Sequence, residues 1–373
     1  MTDEPLASSS GAGERAHLVV LDGLRGIAAY AVAVFHFSAG EGLPSGWLAV
    51  DFFFILSGFV LAQAYGSKLV HGMSFAGFAR RRLARLWPMI VVGGGFATFA
   101  AVLHDVAHPE DAYGAEFLVK ATIASLLLVP WLSHSVYSDR IFPLNPAEWS
   151  LFFELWVSLA FGAIARWLRP IWLFALMLLS LLAFWFVGNV GGDDVGDFVS
   201  GFPRSSFGFF LGLWINYIWR SGYFRAAKLG LAPLGVVMLG IFALRGVPMP
   251  LLYPTSILLF ATMIVLAANA EPSATERKVC KHLGALSYPV YLLHYATWYL
   301  TTAGLRRAHI GAEVYIPAAL ITVTLLSYGA LRFLDEPIRR RLQGSRALPV
   351  HTRQEGHGSD DSASARGSAS SQS

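Results

Sequence analysis

Ten runs of about twenty apolar residues punctuate this chain, and few folds accommodate them. They fall near residues 17–39, 46–64, 83–104, 147–167, 170–189, 203–220, 228–246, 250–268, 284–304 and 314–334. Twenty helical residues rise about 30 Å, the depth of a bilayer's hydrocarbon core. Barrel strands would instead alternate apolar and polar residues in pieces of about ten. The charged share of 14% lies well under that of a soluble domain, and the mean hydropathy is +0.53. The expected fold class is therefore all-α: a polytopic membrane protein of about ten transmembrane helices. An eleventh apolar run, 117–132, is short and contains Lys120 and Pro130. It is expected to form a partial or re-entrant element.

Charge placement sets the expected orientation. With ten spans and both termini cytoplasmic, nearly all basic residues lie at cytoplasmic helix ends or in the tails. Of the 28 lysines and arginines, only Lys120, Arg140, Arg204, Arg245, Arg306 and Arg307 fall outside, and Arg25 lies within a span. A full crossing by 117–132 would invert every later loop and destroy this bias. The expected division is a cytoplasmic tail over 1–16, a membrane domain over 17–342, and a disordered cytoplasmic tail over 343–373, rich in Ser, Gly and charge. The start carries no basic n-region before a short apolar core and does not read as a signal peptide. The net charge of +4 follows from these anchoring residues, so the expected partner is the lipid bilayer of a plasma (inner) membrane and not nucleic acid. Cys280 is the only cysteine, which excludes an intramolecular disulfide and a thiolate metal cluster. His104, His108 and His134, in and beside the long connection 105–146, fit no common ligand spacing; no metal is expected.

Ionisable groups inside a membrane helix are costly and mark function by default. In LDGLRGIAAYAVAVFHF, Arg25 and His36 are eleven residues apart. That spacing puts them within roughly 20° on one helix face and about 16 Å apart along the axis. Asp22 shares that face and either pairs with Arg25 or leaves it to a ligand. Arg80, Arg81, Arg82 and Arg85 cluster at the third span, as topology anchors or as a phosphate grip. In VDFFFILSGFVLA, Asp51 either caps the helix or orients a hydroxyl, and Ser57 and Gly58 allow close packing. In NPAEWSLFFELWVS, Trp149 suits an interface, and Glu154 lies about one and a half turns deep, where it needs a partner. Arg204 opens the sixth span, whose Gly208 and Gly212 make a small-residue face. Tyr288, Tyr291 and His294 share a broken face in LSYPVYLLHY.

Taken in order, the Arg25-x10-His36 spacing, FFFILSGFVL, the R-x-x-R of Arg82 and Arg85, EWSLFFE and SYPVYLLH resemble the acyltransferase-3 family of polytopic membrane acyltransferases, the O-antigen and exopolysaccharide acetylase type. The resemblance covers about residues 18–340. It implies transfer of an acyl group, acetyl in the first instance, from cytoplasmic acyl-coenzyme A (acetyl-CoA) to a hydroxyl of a carbohydrate or glycolipid. By resemblance, Arg25, His36, Arg82 and Arg85 are functional, with Glu154 added. His36 is then the general base, Arg25 and Glu154 are catalytic candidates, and Arg25, Arg81, Arg82 and Arg85 are donor-binding candidates. Asp51, Trp149 and Arg204 would position the acceptor from outside. Some members carry a fused extracytoplasmic domain; here the expectation is that one polypeptide performs the transfer, unless a separate partner is used. The competing class is a proton-coupled secondary transporter of a sugar or lipid. Inverted repeats with matching broken helices would support it, and none is evident.

Overall fold

The computed structural model describes residues 18–134, 137–188, 190–222, 228–335 and 337–338. Both expected tails, with the basic residues Arg15, Arg225, Arg339, Arg340 and Arg341, lie outside the described residues. Among those described there are eleven α-helices and no strand. In chain order they are α1 (Val19–Phe37), α2 (Ala49–Val70), α3 (Phe75–Ala107), α4 (Ala115–Leu126), α5 (Glu148–Ile164) and α6 (Pro170–Val187), then α7 (Gly201–Arg220), α8 (Leu231–Ala243), α9 (Met249–Ala268), α10 (Ala274–Arg307) and α11 (Tyr315–Ala330).

Seven helical stretches are long and apolar enough to cross a membrane: α1, α2 with its short lead-in, α3, α5 with its tail, α6, α9, and α11 with its flanking turns. The multi-pass membrane class therefore stands. α8 has only 13 residues, shorter than the run 228–246 suggested. α3 and α10 are longer than their apolar runs, because helix geometry does not stop where hydropathy does. Ser74 caps α3 by accepting from the Gly77 amide, and Ser273 caps α10 by accepting from Glu276. Both helices thus continue past the apolar stretch and carry their basic residues with them.

The partial element is α4. Its 12 residues span about 18 Å, and like the 13-residue α8 it is shorter than the seven helical stretches long enough to cross. It lies against α3, where the Thr98 and Thr122 hydroxyls are 3.0 Å apart. The long helices pair in two parallel sets. Arg25 and then His36 of α1 meet Ser287 and then Tyr295 of α10, so these two helices run parallel. Asp51 and Gln63 of α2 meet Arg204 and Asn216 of α7, again in parallel.

Two glycine contacts bring these parallel pairs close. Gly26 on α1 leaves room for Leu283 of α10, where a Cβ would come within 2.6 Å of the Leu283 carbonyl oxygen. Gly58 and Gly212 do the same between α2 and α7, where any Cβ would overlap the facing backbone. By contrast, α6 turns most of its surface outward: Trp185 and Phe186 are 80% and 85% exposed, as suits lipid contact. The histidines of the long connection form separate local pairs, His104 with Asp105 and His134 with Asp139.

Candidate active site

Two cavities open between the helices, at different levels along α1 and α10. The first, of about 360 Å³, is bounded by α1, α2, α3, α5 and α10, and its chemistry comes from Arg25, Ser57, Arg82, Arg85, Glu154 and Lys281. The second, of about 250 Å³, contains His36, Trp47, Trp149, Arg204, His294 and Tyr295.

In the first cavity Arg25 makes the Asp22 pair that the sequence left open. Its Nη2 pairs with Asp22 Oδ1 at 3.0 Å. Its Nε donates to Ser287 Oγ at 3.0 Å, and Nη2 donates to the Gly284 carbonyl at 2.9 Å. The guanidinium is thereby pinned against α10 while still lining the cavity. Gly284 permits this because Asp22 packs where its side chain would be.

Arg82 is 3% exposed, and its Nη2 donates to Glu154 Oε1 at 2.8 Å. Ser57 Oγ donates to the same carboxylate oxygen at 2.8 Å. Glu154 therefore lines the first cavity, while His36 lines the second. Glu154 sits with the arginines because α5 runs beside α2 and α3 and its second turn meets the Arg82 turn. Arg85, one turn on from Arg82, is exposed and lines the same cavity. Arg81 points out of the bundle and does not line it, since adjacent residues on a helix diverge by about 100°. Lys281, not anticipated from the sequence, adds a cation from α10.

In the second cavity the Tyr295 hydroxyl lies 3.0 Å from His36 Nδ1 and 3.1 Å from Nε2. The His294 ring stacks on His36 with centroids 5.2 Å apart. His294 is itself fixed by its Nδ1, 2.6 Å from the Tyr291 carbonyl oxygen. His294 belongs to the face read from LSYPVYLLHY, whereas Tyr295 is not singled out there; the partnership of both with His36 needs the docking of α10 on α1.

The three acceptor-side candidates separate into two tiers. Arg204 and Trp149 line the second cavity; Asp51 does not. Asp51 is 1% exposed and takes both oxygens to Arg204, at 2.9 Å to Nε and 2.7 Å to Nη2. Tyr253 also donates to Asp51, at 2.9 Å. Arg204 Nη1 donates to the carbonyls of Val190 and Gly191 at 3.3 and 3.2 Å. Buried and accepting three hydrogen bonds, Asp51 holds Arg204 beside the Trp47 and Trp149 rings, 5.6 and 5.3 Å from their centroids.

At the rim of this cavity Arg140 pairs with Asp193 and Asp194. Oxygens of Asp193, Asp194 and Asp197 lie within 4.8 Å of one another. Asp197 Oδ1 accepts from the amides of Gly192 and Asp194, so this acidic group is used in building the turn.

The bundle of apolar helices and its two cavities leave the chemistry open, and sequence comparison gives its class. Residues 18–332 match the family described as an acyltransferase domain. The chain belongs to that family and is a multi-pass membrane acyltransferase. It is 36% identical over 159 residues to "Protein 2 in picA locus" of Rhizobium radiobacter, covering 40% of this chain and 81% of that one. It is 26% identical over 360 residues to "O-acetyltransferase OatA" of Staphylococcus aureus (strain NCTC 8325 / PS 47), covering 87% of this chain and 58% of that protein. It is 27% identical over 364 residues to "Peptidoglycan O-acetyltransferase OatA" of Listeria monocytogenes, covering 87% of this chain and 56% of that protein. The chain thus spans little more than half the length of these two acetyltransferases. No solved structure matches.

Proposed function

We propose that the protein moves an acetyl group from acetyl-CoA, bound from the cytoplasmic side, to a hydroxyl of a cell-surface carbohydrate or glycolipid, with His36 as general base. The observation that carries this reading is the division of labour between the two cavities. One gathers Arg25, Arg82, Arg85 and Lys281 with Asp22, Glu154 and Asp335 among them, and the other holds His36 together with Trp47 and Trp149. Clustered guanidinium and ammonium groups suit the phosphates of coenzyme A. Aromatic faces and a fixed arginine suit a sugar. The names of the Staphylococcus and Listeria relatives agree with acetyl transfer to oxygen.

In this scheme the acceptor hydroxyl gives its proton to a ring nitrogen of His36 as its oxygen bonds to the thioester carbonyl carbon. The carbon–sulfur bond then breaks, and the proton passes to the departing coenzyme A thiolate. General-base help of this kind contributes about 10² to 10⁴-fold. Tyr295 orients the imidazole, and Arg25 lies on the donor's path. Glu154 orders Arg82 and does not take part in proton transfer.

Ten spans with both termini cytoplasmic, in a plasma (inner) membrane, complete the proposal. The parallel directions of α1 with α10 and of α2 with α7 support it, since a full crossing at α4 would oppose them. The residues from 17 to 342 then act as one transfer domain. The test is purified protein in vesicles with acetyl-CoA on either face. Thioester consumption from one face only, coupled to acetyl appearing on an added oligosaccharide, is expected. Binding of acetyl-CoA with no turnover in the presence of cell-envelope glycans would overturn it.

A further inference from the structure

Among the described residues, Tyr291 alone lines both cavities. It is 5% exposed, and its hydroxyl lies 2.6 Å from Ser150 Oγ across the α5–α10 contact. The α5 side of this contact is divided in the same way: Ser150 faces the first cavity and its neighbour Trp149 the second. Phe53 of α2 meets the Tyr291 ring edge-on, with centroids 5.6 Å apart. The wall between the cavities is therefore about one side chain thick at this point.

The helix is built to give way beside that wall. Pro289 lies inside α10, two residues before Tyr291. Proline has no N–H to donate, so the Ala285 carbonyl loses its helical partner and the rod is weakened there. The weak point separates the part of α10 that holds Arg25, through Gly284 and Ser287, from the part that meets His36, through His294 and Tyr295.

We infer that Tyr291, latched to Ser150, is a movable partition: closed, it seals the donor cavity from the acceptor cavity, and open, it joins them into a passage for the acyl-bearing arm. This deepens the proposed acetyl transfer, because a donor held at Arg85 and Lys281 reaches His36 only past this residue.

The test reads accessibility and needs no acyl donor. Cys280, the only cysteine, is buried and is replaced first by Cys280→Ser. Phe35→Cys then puts one thiol on the second cavity. A charged, membrane-impermeant methanethiosulfonate is applied to right-side-out and to inside-out vesicles. With Tyr291 intact, Cys labelling is expected from the His36 face only. Tyr291→Ala should raise labelling from the opposite face by roughly 10-fold or more, the change expected when a minor open state becomes the dominant one. Ser150→Ala, which removes only the latch and is the milder change if Tyr291→Ala fails to fold, should raise it about five-fold. Tyr291→Trp, which keeps the wall filled, should leave it at the starting level. Equal labelling from both faces with Tyr291 intact, or labelling confined to one face in both Tyr291→Ala and Ser150→Ala, overturns the partition. Changed sidedness in a protein without thioester turnover would keep the partition and remove the acyl-transfer reading. Turnover with unchanged sidedness would do the reverse.

Discussion

Glu154 Oε1 accepts hydrogen bonds from both Arg82 Nη2 and Ser57 Oγ, each at 2.8 Å, tying α2, α3 and α5 together at a single carboxylate oxygen. Arg82 is almost fully buried, so removing its counter-charge leaves a cation inside the bundle. Glu154→Ala should lower stability by about 3 kcal/mol or somewhat less, because Glu154 itself keeps 20% of its side chain exposed. Glu154→Gln retains the acceptor oxygen and should cost less. Thermal unfolding in detergent checks the order; equal melting temperatures for both variants and the parent would show that the pair contributes nothing.

His36→Ala should give an inserted, folded protein whose transfer rate is down about 10² to 10⁴-fold. Tyr295→Phe removes the hydroxyl that contacts the ring nitrogens. It should lower kcat by a smaller factor with donor KM unchanged, since Tyr295 positions the base and does not touch the donor cavity. Steady-state kinetics in vesicles separates the two effects, and full activity in His36→Ala would move the base elsewhere.

Donor binding is best probed at Arg85 and Lys281. Charge reversal at Arg82 would set two carboxylates together in a buried place and confound folding with binding. Arg85→Glu and Lys281→Glu lie on exposed helix surface at the same cavity and should raise the donor KM, each by about 10-fold or more, with kcat little changed at saturation. High salt should mimic the effect by screening. A donor KM that ignores both substitutions and salt counts against phosphate recognition here.

Gly26 should tolerate no side chain. A Cβ there meets the Leu283 backbone, which cannot move without shifting α10 relative to α1. Gly26→Ala is expected to cost about 1–3 kcal/mol and to lower activity through the Arg25–Ser287 contact. Gly66, on the same type of helix but with open space around it, is the control and should accept Ala without loss.

What a single helix determines was readable without coordinates. The Arg25–His36 stripe follows from helical period alone, and both residues do face α10. The Asp22–Arg25 pair is equally local. The run 117–132 is short in sequence, and its helix α4 is short too. What depends on docking was not readable. Asp51 and Arg204 were both picked out for the acceptor, but 153 positions separate them, and their mutual neutralisation exists only where α2 meets α7. Glu154 needed a partner, and Arg82 carried an unexplained density of charge, yet nothing in the chain's order joins position 82 to 154. Arg81 was grouped with its neighbours by composition, and helix rotation takes it away from them.

The Arg204 clasp has an implication for how such an enzyme changes its diet. Held by four hydrogen bonds, two to Asp51 and two to backbone carbonyls, this guanidinium is an immovable reference post. Under the proposed function, in which the second cavity takes the acceptor, retargeting to another glycan would proceed through the tryptophans beside it, Trp47 and Trp149, leaving the post and its footing untouched.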